Sequence, residues 1–279
     1  MSGDGRTVLI TGASRGIGRA TALHLAGRGW QVVAGVRDPA AGEELCGRSP
    51  RITAVELDVT DDGQVAKLAG QLPPRVDALV NNAGIGVGGP VESVAVDEVR
   101  RQFEVNVFGQ IAVTQAVLPR LRESRGRLVF VSSLNGRVAV PMSGAYNASK
   151  YAVECLADNL RVELRPWGIR VVLVEPGCID TDPWRRMLET FDEFMGAMTP
   201  AHRELYAAHL TGERALLARL QKQARPVDLV AEAVERALTR ARPRSRYLVG
   251  GDARMFVALK KALPTPVFDA LLARGLGMR

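Results

Sequence analysis

The hydrophobic positions of this chain fall into short apolar runs separated by longer segments with helical spacing. The runs are rich in Val, Ile and Leu and end at glycine or polar residues, as is typical of buried strands. They lie at residues 7–10, 31–36, 51–57, 76–80, 127–131, 169–174 and 247–250. The patterns between them predict helices at 17–28, 61–72, 97–123, 144–164 and 227–239. Strands that alternate with helices at this interval predict βαβ units and a parallel sheet.

This order predicts an α/β fold with about seven strands in a doubly wound parallel sheet and helices on both faces. We find no linker, internal repeat or low-complexity segment, so we predict a single domain over residues 1–279. The alternation stops after residue 176, and residues 182–225 are helix-prone with an early cluster of aromatic and Met residues. Open α/β sheets bind ligands at the carboxyl ends of their strands, so this segment is predicted to be a substrate lid. Residues 253–279 are predicted to form a C-terminal helical extension.

The composition is that of an ordinary globular protein, with 47% hydrophobic and 24% charged residues. The first six residues lack the layout of a signal peptide, and no apolar run reaches about 18 residues, so no integral membrane segment is predicted. We expect a cytoplasmic protein. Its three Cys and three His are scattered without a C-x-x-C pair, which argues against a disulfide framework and against a metal site.

The net charge of +7 is concentrated in the last third of the chain. Residues 200–279 contain 15 basic and 7 acidic residues, a net charge of +8. This charge could attract a membrane surface or an acidic partner, or it could be a solvated face. No aromatic-interleaved basic patch or nucleic-acid motif accompanies it, so nucleic acid is not an expected partner.

A glycine-rich turn connects the first predicted strand to the first helix. Gly12, Gly16 and Gly18 stand at offsets that let the backbone turn tightly and approach a pyrophosphate at the helix N-terminus. A packing turn without a ligand is the alternative. The position between the first strand and the first helix favours a dinucleotide site.

The end of the second strand indicates which dinucleotide binds. A carboxylate there would hold the ribose 2′-hydroxyl of NAD(H), whereas arginine suits the 2′-phosphate of NADP(H). The chain has Val36 followed by Arg37, and Ser14 and Arg15 could join Arg37 around the phosphate. Asp38 could instead neutralise Arg37 or bind the ribose. We therefore expect NADP(H) ahead of NAD(H).

Tyr146 and Lys150 lie four residues apart in a predicted helix and therefore share one face. The pKa of tyrosine is ordinarily about 10, and a neighbouring cation lowers it by favouring the phenolate. Such a pair could act as a general acid/base. The spacing alone also arises by chance, so the surrounding motifs decide.

These motifs resemble those of the short-chain dehydrogenase/reductase family, of the single-domain kind, over residues 6–182. The family's T-G-x-x-x-G-x-G motif matches residues 11–18, and its active-site serine matches Ser133, thirteen residues before Tyr146. The resemblance implies a Rossmann-type fold. It assigns cofactor contacts to Ile17, Asp58, Val59, Asn82, Ala83, Gly84, Tyr146, Lys150, Pro176, Gly177, Ile179 and Thr181.

The resemblance also implies a mechanism. Hydride transfer between the nicotinamide and a carbonyl carbon leaves an oxygen that needs a proton, and Tyr146 would supply or remove it. Ser133 would stabilise charge on that oxygen, and Lys150 would lower the pKa of Tyr146 and hold the nicotinamide ribose. Asn106 would order a water that connects Lys150 to solvent.

The sequence indicates a class of substrate but does not identify one compound. Residues 242–253 and the extension resemble the corresponding segments of the branch that contains retinol dehydrogenases and 17β-hydroxysteroid dehydrogenases. This resemblance implies a lipophilic small-molecule alcohol, aldehyde or ketone of steroid-, retinoid- or polyketide-like character. Two alternatives stay open, namely a 3-oxoacyl-(carrier protein) reductase and a catalytically silent NADP-binding regulatory protein.

The resemblance implies a homodimer or homotetramer paired through helices 97–123 and 144–164. The apolar face of the extension could contact a membrane surface peripherally, a partner subunit or the pocket. Its apolar residues are Phe256, Leu259, Leu263, Val267 and Phe268.

Overall fold

The computed structural model describes residues 5–277, so the last two residues of the predicted extension lie outside it. One parallel sheet of seven strands occupies the centre. Its order is β3-β2-β1-β4-β5-β6-β7. The strands are β1 Thr7–Thr11, β2 Gln31–Val36, β3 Ile52–Glu56, β4 Ala78–Asn81, β5 Arg127–Val131, β6 Arg170–Pro176 and β7 Arg246–Val249. The predicted doubly wound α/β fold is confirmed.

Helices cover both faces of this sheet. They are α1 Gly16–Gly27, α2 Pro39–Cys46, α3 Asp62–Gln71, α4 Val96–Phe103, α5 Gly109–Ser124, α6 Gly144–Glu163, α7 Asp182–Arg185, α8 Met187–Ala197, α9 Pro200–Leu205, α10 Ala207–Gln223, α11 Asp228–Thr239, α12 Gly251–Ala262 and α13 Thr265–Gly275. Side chains alternate across each strand, so Val8 and Ile10 pack with α1 and α11 while Leu9 packs with α3, α5 and α6. Both faces of the strands are therefore buried, which explains their continuous apolar runs.

The predicted single helix over 97–123 is interrupted. A π-helical turn, Glu104–Phe108, lies between α4 and α5. The prediction was wrong at this point because a turn with i→i+5 hydrogen bonds keeps the chain helical, so the sequence pattern does not distinguish it from a regular α-helix. Such turns occur frequently at functional sites, and this one contains Asn106.

The C-terminal extension folds back onto its own chain as α12 and α13. Phe268 is buried, and Phe256, Leu259 and Leu263 are partly buried against Leu134 and Val138. Those four side chains are therefore at least partly covered by packing against the loop after β5. A contact of the extension with a membrane surface, a partner subunit or the pocket stays a prediction. Val267 is half exposed and stays available to a surface contact. Within residues 5–277, no helix is long and apolar enough to cross a membrane.

The chain order reverses at β1, which lies between β2 and β4. Parallel strands that diverge in this way open a crevice at their carboxyl ends. The turn after β1, the loop after β4 and the loops after β5 and β6 all meet at this edge, where the predicted site residues lie.

Candidate active site

The turn after β1 has the tight backbone that its glycines predict. Gly12 and Gly16 have φ values of +63° and +55°, which disfavour residues with a Cβ. A Cβ on Gly18 would lie 2.3 Å from the carbonyl oxygen of Gly12 and 2.5 Å from Nδ2 of Asn82. The backbone therefore carries no side chain at these three positions, where helix α1 begins. This geometry fits a bound pyrophosphate.

The turn is locked to the loop after β4. Oγ1 of Thr11 accepts hydrogen bonds from the backbone amides of Asn82 and Ala83, each at 3.0 Å. Nδ2 of Asn82 donates to the carbonyl oxygens of Thr11 and Gly12 at 2.9 and 3.1 Å. The predicted residues Asn82 and Ala83 therefore hold the shape of the glycine turn.

Basic side chains lie beside the end of β2. Arg37 is exposed, and its Nη1 lies 4.0 Å from Oδ2 of Asp58. Asp38 accepts a hydrogen bond from the Ala40 amide and caps α2. It therefore has a local role of its own. Arg15 is exposed at the N-cap of α1. Arg37 and Arg15 are both accessible to an anion.

Asp58 and Val59 follow β3 at the same edge. Asp58 accepts hydrogen bonds from the amide and hydroxyl of Thr60. Val59 is buried against the N-terminus of α5, where a Cβ on Gly109 would lie 2.7 Å from Cγ2 of Val59. Val59 therefore packs against the start of α5, and its predicted contact with the cofactor stays a prediction.

Tyr146, Ser133 and Lys150 come together where β5 meets α6. Nζ of Lys150 lies 5.7 Å from the centre of the Tyr146 ring and donates to the Val131 carbonyl oxygen at 2.9 Å. Burial raises the pKa of Tyr146, and a hydrogen bond with the Ser133 side chain opposes the rise. The lowering of the Tyr146 pKa by Lys150, which the sequence leads us to expect, stays a prediction.

Lys150 is itself almost fully buried. Burial lowers its pKa to about 8, and the charge of Glu154, one helical turn later, opposes the change. An ammonium in this range remains mostly charged at neutral pH. It can therefore hold a ribose hydroxyl or favour a developing phenolate.

Asn106 is oriented by the π-helical turn. Its Oδ1 accepts from the Ile85 amide at 2.8 Å, and its Nδ2 donates to the Ile85 carbonyl oxygen at 2.9 Å and to Oγ of Ser149 at 3.1 Å. A Cβ on Gly84 would lie 3.3 Å from Oδ1 of Asn106 and 3.8 Å from Nζ of Lys150. Gly84 thus leaves open the space between the two side chains. The water relay between them stays a prediction.

The sequence interpretation missed several residues that support this site. Gln102 accepts from the Val87 amide and donates to the Ile85 carbonyl oxygen, so it holds the same loop as Asn106. Asn135 donates to Oδ1 of Asn147 at 2.7 Å and ties the Ser133 loop to α6. A signal for Gln102 was available, since it stands four residues before Asn106 in a helical pattern.

A second missed feature is an ion-pair network next to Lys150. Glu175 has no exposed surface, and its Oε1 lies 3.1 Å from both Nη1 of Arg137 and Nε of Arg246. The same Nε lies 3.0 Å from Oε2 of Glu154. Burial and the neighbouring Glu154 raise the pKa of Glu175 to about 7. Two buried carboxyl groups therefore share two guanidinium groups.

The loop after β6 carries the remaining predicted residues. The Gly177 amide, directly after Pro176, donates to the Val249 carbonyl oxygen at 2.9 Å, and the Cys178 amide donates to Oδ2 of Asp252 at 2.7 Å. Ile179 is buried in the core, and Oγ1 of Thr181 accepts from the Trp184 amide at the start of α7. The loop lies at the end of β6, next to the end of β5.

Helices α7 to α10 form the segment that is predicted to be a substrate lid, and they pack against the loops at this edge. Their function as a lid stays a prediction. Their apolar side chains form one cluster, which we call the lid cluster. It contains Met142, Phe191, Met198, Leu210 and Leu217, with Trp184, Met187, Leu188, Phe194, Met195 and Tyr206 packed against it. A Cβ on Gly89 would lie 2.1 Å from Cζ of Phe194. The hydroxyl of Tyr206 donates to Oε2 of Glu92 at 2.7 Å. The lid thus rests on the loops after β4 and β5.

Comparisons with known proteins agree with this geometry. The model of the short chain dehydrogenase family matches residues 6–191, two thirds of the chain.

The chain belongs to the short-chain dehydrogenase family.

Curated relatives place it in the retinol and steroid dehydrogenase branch of that family. Retinol dehydrogenase 5 of Mus musculus is 36% identical over 280 residues, which are 95% of this chain and 87% of the relative. 17-beta-hydroxysteroid dehydrogenase type 6 of Bos taurus is also 36% identical, over 96% of this chain and 87% of the relative. The protein is an oxidoreductase that acts on CH–OH donors.

Solved structures share the fold. A short-chain dehydrogenase from Streptomyces avermitilis superposes with a TM-score of 0.78 at 31% identity and covers 92% of each chain. A short chain dehydrogenase from Burkholderia cenocepacia, solved in complex with NADP, has a TM-score of 0.76 at 29% identity and covers 98% of this chain and 99% of the other. Membership of the family and the NADP complex of this neighbour support the use of a nicotinamide cofactor.

Proposed function

We propose that this dehydrogenase uses NADP(H) to interconvert a lipophilic ketone or aldehyde and the corresponding alcohol. The convergence of Tyr146, Ser133 and Lys150 at the edge that carries the glycine turn is the observation on which the proposal rests most. The glycine turn and the loops after β4 and β6 would hold the cofactor. When bound, it supplies or accepts the hydride.

Tyr146 would transfer the proton to or from the substrate oxygen. Its hydrogen bond with Ser133 means that the two hydroxyl groups are adjacent, so Ser133 could stabilise charge on the substrate oxygen that receives the proton. Because burial raises the pKa of Tyr146, the phenol is protonated and ready to donate in the direction of reduction. Lys150 would hold the ribose and, through the space beside Gly84, connect to Asn106.

Arg37 is the main support for NADP(H) over NAD(H). Val36, at the end of β2, offers no carboxylate for a ribose 2′-hydroxyl, and Asp38 caps α2. The guanidinium of Arg37 is exposed and only loosely paired with Asp58. A 2′-phosphate would find a favourable partner in it.

The lid cluster supports a lipophilic substrate, as do the names of the retinol and steroid dehydrogenase relatives. A 3-ketoacyl-(acyl-carrier-protein) reductase from Brucella melitensis also shares the fold, with a TM-score of 0.72 at 28% identity, 90% coverage of this chain and 100% coverage of that one. Reduction of the 3-oxo group of a 3-oxoacyl thioester is therefore the second candidate. The homodimer or homotetramer and the cytoplasmic location stay predictions.

A cofactor oxidation screen tests the proposal. Purified protein is mixed with NADPH or NADH and with a steroid ketone, retinal, a simple ketone or a 3-oxoacyl thioester. We expect oxidation of NADPH with the steroid ketone or retinal. Fastest turnover of the thioester would favour the second candidate. Tight NADPH binding without turnover of any substrate would instead indicate a silent regulatory protein.

A further inference from the structure

The C-terminal extension, which consists of helices α12 and α13, packs against the loop that carries Ser133. The match to the short chain dehydrogenase family ends at residue 191, so it does not include this extension. Two side chains of the loop, Leu134 and Val138, are 8% and 0% exposed. The other buried members of their cluster all belong to the extension, namely Ala253 and Val257 of α12 and Phe268 of α13. The extension therefore covers the loop at the residue that directly follows Ser133.

Helix α6 holds the same loop through hydrogen bonds. Nδ2 of Asn135 donates to Oδ1 of Asn147 at 2.7 Å, and Nδ2 of Asn147 donates to the Val140 carbonyl oxygen at 2.6 Å. Oγ of Ser133 accepts from the Asn135 amide at 3.1 Å. Polar contacts with α6, the helix of Tyr146, and apolar contacts with the extension therefore hold the loop together.

The extension is itself fixed to the sheet by a short connection. Strand β7 ends at Val249 and α12 begins at Gly251, so only Gly250 separates them. Gly250 has a φ value of +110°, which residues with a Cβ rarely adopt. In the first turn of α12, Oδ2 of Asp252 accepts from the amide of Cys178, in the loop after β6, at 2.7 Å. The start of α12 is therefore held at the same edge of the sheet as the site.

The loop after β5 has little regular structure of its own. Its backbone forms one short 3₁₀ turn, Leu134–Gly136, in which the amides of Gly136, Arg137 and Val138 donate to the carbonyl oxygens of Ser133 and Leu134. A single short turn opens locally unless buried contacts hold it. Because the extension supplies the other buried members of the apolar cluster, it contributes to the stability of this turn.

We propose that the C-terminal extension is a positioning element for Ser133. Its packing against Leu134 holds the turn in place, so that the Ser133 hydroxyl stays within hydrogen-bond reach of Tyr146. Both hydroxyl groups act on one substrate oxygen, and a displacement of about 1 Å at such a site lowers the rate by roughly 100-fold. This inference rests on the proposed function, because the catalytic role of Ser133 belongs to it.

Hydrogen exchange of the turn amides, followed by mass spectrometry, tests this role without turnover. Phe268→Ala removes the buried ring of α13, and we expect the amides of residues 136–138 to exchange at least about tenfold faster. Leu72→Ala is the matched control, because Leu72 is similarly buried but belongs to a different cluster. It should leave their exchange within about twofold of the wild type. Equal acceleration in both variants, or none in Phe268→Ala, would overturn the inference.

Turnover tests whether the extension acts through Ser133. We expect kcat of Phe268→Ala to fall at least about tenfold, while the dissociation constant of NADPH stays within about twofold. In the Ser133→Ala background the same substitution should lower kcat by less than about twofold, because an absent hydroxyl cannot be misplaced. Leu271→Ala, at a partly exposed position of α13, should leave kcat unchanged. Independent losses in the two backgrounds would overturn the inference.

The two measurements separate this inference from the proposed function. Normal turnover in Ser133→Ala, or no turnover of any carbonyl substrate by the wild type, would refute the proposed function. Hydrogen exchange would still decide whether the extension holds the turn. Val257→Ala removes two methyl groups from the same cluster, and it replaces Phe268→Ala in both measurements if thermal unfolding shows that Phe268→Ala is not folded.

Discussion

Nε of Arg246 lies 3.1 Å from Oε1 of Glu175, a carboxyl group with no exposed surface. The same guanidinium pairs with buried Glu154, so its removal leaves two carboxyl groups short of positive charge. We expect Arg246→Met to lower the free energy of unfolding by about 3–5 kcal/mol at pH 8. Urea unfolding followed by circular dichroism measures this loss.

The loss should depend on pH in a defined direction. The pKa of Glu175 is about 7 in the folded protein against an ordinary value of 4.5, so its contribution to stability is complete below about pH 4.5 and disappears as the pH rises through 7. Without Arg246 the charged form of Glu175 is less favourable still. The variant should therefore lose more free energy of unfolding at pH 8 than at pH 5. Arg236→Met, at an exposed pair with Glu232, should cost less than about 1 kcal/mol. Equal losses at both pH values would contradict the role of Arg246.

Tyr146→Phe removes the proton donor and leaves the ring in place. We expect turnover to fall at least about 100-fold, the lower end of what acid/base groups supply, while the dissociation constant of the cofactor stays within about twofold. Tyr151→Phe is the control, since this tyrosine lies on the same helix with its ring partly exposed. Steady-state kinetics and cofactor fluorescence give both quantities. Near-normal turnover in Tyr146→Phe would refute the assignment.

The glycine turn allows a comparison within one helix. Gly18→Ala would force a Cβ against the Gly12 carbonyl oxygen and Nδ2 of Asn82, so we expect cofactor affinity to fall at least about tenfold. Gly27→Ala meets no atom within 4 Å and should leave affinity unchanged and stabilise α1 by roughly 0.5–1 kcal/mol. Cofactor titration and thermal unfolding separate the two effects. Similar affinities for both variants would show that the turn tolerates a Cβ.

Arg37→Ala tests the cofactor preference. Loss of the guanidinium should weaken NADPH binding by about tenfold or more and leave NADH binding within about twofold, because only NADPH carries the 2′-phosphate. Arg48→Ala removes another exposed arginine, which pairs with Glu44 instead. The ratio of the two dissociation constants, measured by fluorescence titration, is the readout. An equal loss for both cofactors would show that Arg37 does not read the phosphate.

The sequence was sufficient for the sheet, and it identified candidate catalytic residues that lie close together in the structure, because these signals are local. Strand runs and the spacing between Tyr146 and Lys150 are properties of short windows, and the structure joins both residues with Ser133. The network around Arg246 was not predictable in this way, since Glu154, Glu175 and Arg246 are distant in the chain and meet only when β6, β7 and α6 pack together.

The π-helical turn and the burial of Glu213 in α10 were missed for a related reason. A π-helical turn continues the helical course of the chain, so Asn106 was assigned to a regular helix. Glu213 stands in a segment with many charged residues, and nothing local distinguishes it from the exposed Glu193. Only the packing of α10 against the lid cluster separates them.

Glu213→Gln should change the pH dependence of stability. The folded pKa of Glu213 is raised to about 7, so the wild type keeps its full contribution below about pH 4.5 and loses it as the pH rises through 7. A glutamine does not titrate, and the variant should become the more stable protein by up to about 3 kcal/mol at pH 8 relative to the difference at pH 4.5. Thermal or urea unfolding across this range measures the difference, and Glu193→Gln should show a curve parallel to the wild type. If Glu213→Gln also runs parallel, the carboxyl group of Glu213, which is 7% exposed, is not buried without compensation.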